Sequence, residues 1–153
     1  MPDRATSPVL GIVLLLVVTV ALAGTVGSVA FGTTPPSESP RAAIDLRLDA
    51  DANRLTLVHR GGDTFDVRDL SVRIRIDVTA LDAQPPVPFF SATGFRPGPT
   101  GPFNTATDSR WEAGETASFE LAETNDPLIS PGSEVVVTLS VDESVIAEVD
   151  GTA

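Results

Sequence analysis

Two features of the 153-residue chain predict a mainly β protein with one N-terminal α-helix. Val9 to Phe31 run without a charged residue, and from Ala43 onward apolar residues recur at every second position between clusters of Gly, Pro, Asp and Asn. The run is helix-length and too apolar for a soluble core. The alternation is the signature of half-buried antiparallel strands, and the turn spacing suits an immunoglobulin-like β-sandwich.

As a helix, the uncharged run would span about 35 Å, slightly more than the hydrocarbon thickness of a bilayer. Ser7 supplies an N-cap, and Pro8 at the first helical position loses only a donor that had no partner. In the second half Ala21, Ala23, Gly24, Gly27, Ser28 and Ala30 place small residues about four apart, where backbones of neighbouring helices can approach closely. Three readings fit this segment. It can be a secretory signal cut before Gly24 at Ala21-Leu22-Ala23, an uncleaved single-pass anchor, or a helix kept on the mature chain after a short basic leader is removed on its cytoplasmic side. The first would leave Val26, Val29 and Phe31 as an apolar stub on a secreted protein.

Arg4-Ala5, then Thr6-Ser7-Pro8-Val9-Leu10-Gly11 and the apolar helix, resemble the class III signal segment of archaeal type IV pilins, particularly the haloarchaeal ones. The resemblance implies cleavage by a prepilin peptidase after a basic-small pair. Arg4 and Ala5 would be the recognition pair and Thr6 the first mature residue, giving a leader at 1–5 and a transmembrane or filament-core helix at 6–31. Leu10 is then the fifth mature residue, where bacterial type IV pilins carry Glu, so the resemblance is to the archaeal branch. Pro8, Gly11, Gly24, Gly27 and Ser28 become the helix-packing positions.

Residues 32–42 read as a linker whose prolines exclude helix and favour extended backbone. A β-sandwich is expected over 43–153. Ile44, Leu46 and Leu48 form the inward set of the first strand, and Leu55, Leu57 and His59 that of the second. Val72, Ile74, Ile76 and Val78 follow, then Ala117, Phe119 and Leu121, then Val135, Val137, Leu139 and Val141, and last Val145 to Val149. Six strands result, with room for a seventh in the long loop 79–110, and no further helix is expected. That loop is rich in Pro and Gly and carries Phe89, Phe90, Phe95 and Phe103, which either cap the open end of the sandwich or offer a contact surface.

Two turns invite ligand readings. Asp49-Ala50-Asp51-Ala52-Asn53 opens like an EF-hand loop, but Arg54 stands where Gly is needed and Arg60 where Glu is needed, so a hairpin turn is the better account. His59-Arg60-Gly61-Gly62-Asp63 is turn chemistry; its Gly pair opens no helix and has no Lys beside it, which removes a phosphate loop. This block resembles the His-x-Gly-Gly-Asp turn of the same pilin family, so His59, Gly61, Gly62 and Asp63 are its motif residues and His59, the single histidine, reads as packed or turn-bonded.

Composition excludes much else. The net charge of −11 falls after Phe31, since Asp3 and Arg4 cancel, and every basic residue is Arg. No nucleic-acid partner is expected of such a surface, and its acidity without Lys predicts a salt-rich setting. There is no Cys or Tyr, so disulfides, thiolate metal sites and most nucleophile-base pairs are excluded. No catalytic residues, no metal and no cofactor are expected. Asn53, Asn104 and Asn125 lack Ser or Thr two residues on, so none is an N-glycosylation acceptor.

The resemblance implies a structural subunit of an archaeal type IV pilus-like surface filament, serving adhesion or biofilm formation. Its partners would be the prepilin peptidase, membrane lipid before assembly and other pilin subunits afterwards. The alternative is a single-pass, membrane-anchored extracytoplasmic binding domain that does not polymerise, with loop 79–110 as its ligand surface.

Overall fold

A computed structural model describes residues 6–32 and 40–153, with side chains of the helix described from Pro8 to Thr25. The chain divides into two compact units, Met1–Glu38 and Ser39–Ala153.

The first unit contains helix α1 (Thr6–Gly32), about 40 Å long. Its start lies one residue ahead of the expected cap, so Ser7 and Pro8 sit in the first turn, where Pro removes no intrahelical bond. The side chains from Pro8 to Thr25 are all exposed. Two described hydroxyls bond back to the helix itself: Thr19 Oγ1 donates to Leu15 O at 2.7 Å and Thr25 Oγ1 to Leu22 O at 2.9 Å.

The second unit is the β-domain, with strands β1 (Ala42–Asp49), β2 (Arg54–Gly62), β3 (Phe65–Asp66), β4 (Leu70–Ile76), β5 (Thr79–Ala80), β6 (Arg110–Trp111), β7 (Thr116–Glu120), β8 (Glu134–Val141) and β9 (Ser144–Thr152). One sheet has the order β1-β2-β7, the other β5-β4-β8-β9, and β3-β6 form a short separate ladder. All named strand pairs are antiparallel. The order corresponds to strands A-B-E against C′-C-F-G of immunoglobulin-like sandwiches. Beyond α1 the described residues contain only single 3₁₀ turns at Val67–Asp69 and Gly101–Phe103.

Alternation builds the core. Leu55, Leu57, Ala117 and Phe119 point inward from one sheet, and Val72, Ile74, Ile76, Val135, Val137 and Leu139 from the other, all in one buried cluster. The long loop completes it. Phe89, Phe95 and Phe103 are buried, so three of its four aromatics cap the sandwich, and Phe90 alone is exposed at 60%. Ring contacts connect Phe65, Trp111, Phe103, Phe119, Phe95 and Phe89 in one chain, with centroid separations of 5.1 to 6.0 Å. Nine strands stand where six or seven were expected. β3, β5 and β6 are two residues each, too short for a periodic pattern to announce.

Val78 is a correction. It continues the alternation of β4 and was expected inward, yet β4 ends at Ile76 and Val78 is 92% exposed in a hairpin turn. Asp77 and Val78 have φ of 49° and 65°, a region that a β-branched residue adopts only under constraint. Asp77 imposes it: Oδ1 accepts from Glu134 N and Oδ2 from Ser133 Oγ, both at 2.9 Å, and its own N–H donates to Glu134 O. These bonds reverse the chain before Val78 can enter the core.

Candidate functional site

Three places carry features that the fold alone does not require: the surface of α1, the cage around His59, and a polar cleft beside β7.

On α1 the window Pro8–Thr25 has a mean hydropathy of 2.5, long and apolar enough to cross a membrane. Gly11 and Gly24 lie within the helix, where Gly is less favourable than Ala by about 1 kcal/mol. A Cβ built at either position meets nothing within 4 Å, so no described residue demands glycine there. Small residues on a helix surface leave room for close approach by another helix. Gly27 lies three residues beyond Gly24, and Ser28 four beyond, near one face of the helix. Arg4 and Ala5 lie outside the described residues, and α1 begins at Thr6.

The His59–Asp63 block differs from the expected turn. Gly61 and Gly62 belong to β2 and pair with Ala43 and Ala42, with a register shift between Ala43 and Ile44. Gly62 has φ of 106°, and a Cβ there would drive into the Arg41 carbonyl oxygen, so the second glycine is required by close approach of the chain entering β1. Asp63 closes the same junction: its Oδ2 accepts from Arg41 N at 3.0 Å, and its N–H donates to Arg41 O at 2.8 Å. His59 is wholly buried, its ring 5.5 Å from Phe65 and 5.6 Å from Trp111, and among the described residues neither ring nitrogen has a hydrogen-bond partner. It serves as a packed aromatic.

The EF-hand-like turn is likewise used structurally. Asp49 Oδ1 accepts from Ala52 N at 3.0 Å, and Asn53 Oδ1 from Ile129 N at 2.9 Å, tying the β1-β2 hairpin to the segment before β8. Among the described residues no group of three His, Cys, Asp or Glu side chains could hold a metal ion.

The cleft, about 500 Å³, lies where residues 96–100 run beside β7. Arg96 N donates to Glu120 O and Thr100 N to Ser118 O, so five residues of the loop span three of the strand and Pro97-Gly98-Pro99 bow outward. Glu120 sits between two guanidinium groups. Arg54 Nη2 and Nε lie 2.5 and 3.0 Å from its Oε1, and Arg96 Nε is 3.7 Å from Oε2. Hydrogen bonding to Glu120 raises the Arg54 pKa above its usual value. Thr100 Oγ1 and Ser118 Oγ, 2.7 Å apart, complete the polar wall.

This cluster was not legible from local patterns, since Arg54, Arg96 and Glu120 come from two strands and a loop. The same holds for Asn125, considered only as a glycosylation acceptor. It is buried: its Oδ1 accepts from Ala83 N at 3.0 Å, and its Nδ2 donates to Ala83 O at 3.0 Å and Gly94 O at 3.2 Å, fastening two points of the long loop.

Against known proteins, residues 4–44 match the family model described as archaeal type IV pilin, N-terminal. The match takes in the basic-small pair, all of α1 and the first residues of β1. The chain is also 32% identical over 76 residues to an uncharacterized protein of Archaeoglobus fulgidus, an alignment covering 48% of this chain and 54% of the relative. It thus spans about half the length of the curated relative it matches.

Proposed function

We propose that this chain is a pilin-like subunit of an archaeal surface filament. The reading is carried by one conjunction: the pilin N-terminal match coincides with an apolar helix whose described side chains are all exposed. Such a helix needs a non-aqueous surrounding. Lipid provides it before assembly, and the helices of neighbouring subunits provide it afterwards, approaching at Gly11, Gly24, Gly27 and Ser28. A prepilin peptidase cuts between Ala5 and Thr6, recognising Arg4 and Ala5. The β-domain is extracytoplasmic and, in the filament, on the outside. Surface adhesion or biofilm formation is the role proposed for the acidic outer domain, and its acidity without Lys supports a salt-rich setting.

Mass spectrometry of the native N-terminus tests this. A mature chain beginning at Thr6 is expected; Met1 or Pro2 would mean a plain anchor, and Gly24 a secreted protein. Arg4→Asn combined with Ala5→Leu should leave the leader attached and abolish filaments, and unchanged filaments would remove the mechanism. The cleft between Arg96 and Thr100 favours a second reading, a membrane-anchored binding domain that stays unpolymerised; it predicts Met1 or Pro2 at the N-terminus.

A further inference from the structure

The outward face of the β5-β4-β8-β9 sheet has an unusual distribution of charge. Strand register places Arg73, Thr138 and Glu148 in one row across β4, β8 and β9, and Arg75, Val136 and Asp150 in the next. Arg73, Arg75, Glu148 and Asp150 are exposed, and Val136 and Thr138 are half-buried. In these two rows the face carries a basic column on β4 and an acidic column on β9, with uncharged Val136 and Thr138 on β8 between them and Glu134 at the end of β8. Neighbouring strands lie about 4.8 Å apart, so the columns stand about 10 Å apart; no ion pair joins them, and Glu148 Oε2 instead accepts from Thr138 Oγ1 at 3.1 Å. Five other arginines of the β-domain, Arg54, Arg60, Arg68, Arg96 and Arg110, have carboxylate partners. Among the described residues Arg73 and Arg75, like Arg41 and Arg47, hold no ion pair, although acidic residues outnumber basic ones by 21 to 10 in the chain. A hollow of about 310 Å³ bounded by Arg73, Arg75, Ala80, Gln84, Thr138 and Glu148 opens on this face.

We propose that this face docks a second copy of the chain, sheet against sheet, about a two-fold axis running along β8. The geometry of the rows selects that partner. Rotation about an axis parallel to β8 exchanges the two columns while keeping each row at its own height. Arg73 then meets Glu148 of the second copy, Arg75 meets Asp150 of the second copy, and each pair occurs twice. Thr138 and Val136 flank the axis and face their own counterparts across it. Sheets packed face to face stand about 10 Å apart, within the combined reach of Arg and a carboxylate. A rotation about the perpendicular in-plane axis would set like charges together, so complementarity also fixes the orientation. The inference rests on the subunit reading only for its choice of a second copy as partner; a two-fold contact closes on itself, so it pairs β-domains in the membrane or across filaments and does not propagate one filament.

The chain has no cysteine, which gives a direct test in the full-length protein in its membrane. Thr138→Cys should give a covalent dimer with a short bis-maleimide cross-linker, seen on a denaturing gel, since residues facing each other across sheets about 10 Å apart are too distant for a direct disulfide. Ala43→Cys, exposed on the other sheet, should stay monomeric. In the Thr138→Cys background, Arg73→Glu with Arg75→Glu should lower dimer yield by about tenfold or more, since like charges then face each other. Adding Glu148→Arg with Asp150→Arg exchanges the columns and should restore the yield to within about twofold. Arg73→Gln with Arg75→Gln serves in place of the reversed pair if that pair does not accumulate. Monomeric Thr138→Cys, or a dimer indifferent to the charge changes, overturns the proposal. A charge-dependent dimer on a chain beginning at Met1 would retain this contact and remove the filament reading; filaments built from monomeric Thr138→Cys subunits would do the reverse.

Discussion

The two units meet the same requirement, removal of apolar side chains from water, in opposite ways. In the β-domain, Leu55, Leu57, Ile74, Ile76, Trp111 and their neighbours are closed off by other parts of the same domain. In α1, Leu10, Leu14, Leu15, Leu16 and Leu22 are each more than 60% exposed. At about 25 cal/mol per Å² of apolar surface, such a helix cannot remain in water. The difference teaches where each unit's stability comes from: the β-domain is stabilised by its own sequence, whereas α1 is stabilised by whatever surrounds it. Mutations should therefore separate cleanly into those read by melting and those read by localisation.

The largest effect is expected at the centre of the aromatic chain. Trp111 is wholly buried and touches His59, Phe65 and Phe103, so Trp111→Ala should destabilise the β-domain by about 4 kcal/mol, measured by chemical denaturation. Membrane retention of the chain should be unaffected. The converse variant is Leu15→Arg. A charge in mid-helix costs about 3 kcal/mol of insertion free energy, so the membrane-bound fraction should fall while the melting of the β-domain stays the same. If Leu15→Arg lowered that melting temperature, the separation of the two units would be wrong.

Asn125→Ala comes next. It leaves the part-buried N–H and C=O of Ala83 without their partner, while Gly94 O keeps Ala122 N, and should cost about 2 kcal/mol, with proteolysis starting in the 79–110 segment. This residue also marks how far the sequence could be read. The long strands and their inward residues were legible because alternation with period two is a local signal, and α1 was legible because the uncharged run from Val9 to Phe31 needs no context. The order inside 79–110 comes from contacts far along the chain: Asn125 holding Ala83, Ser118 holding Thr100, Glu120 holding Arg96. No window of ten residues contains such pairs. Val78 shows the opposite failure, a local pattern overridden by Asp77 and its bonds to Ser133 and Glu134. The site divides likewise. The N-terminal segment could be recognised from consecutive residues, while the charge columns on β4 and β9 emerge only once register sets Arg73 beside Thr138 and Glu148.

The smallest effect concerns pH and belongs to the β-domain alone. Asp66 accepts hydrogen bonds from the Arg68 guanidinium, from Arg68 N at 2.9 Å and from Ser109 Oγ at 3.0 Å. The Arg68 side chain contributes most, and together these donors hold the carboxyl well below the usual carboxylate range. Unfolding releases it to an ordinary Asp value near 3.9. A depressed folded-state pKa means that the unfolded chain binds the proton more readily, so the stabilisation is fully present above about pH 4 and is lost as pH falls through the folded value. Asp66→Asn should therefore make stability less steep in pH below about 4 and change it little in form near neutrality. Because the Arg68 side chain is exposed at 69%, the stabilisation is modest and should shrink further with added salt. An unaltered acid limb in Asp66→Asn would mean that Arg68 and Ser109 hold the carboxylate no more tightly in the folded chain than water does in the unfolded one, and that acid sensitivity arises elsewhere on the acidic surface.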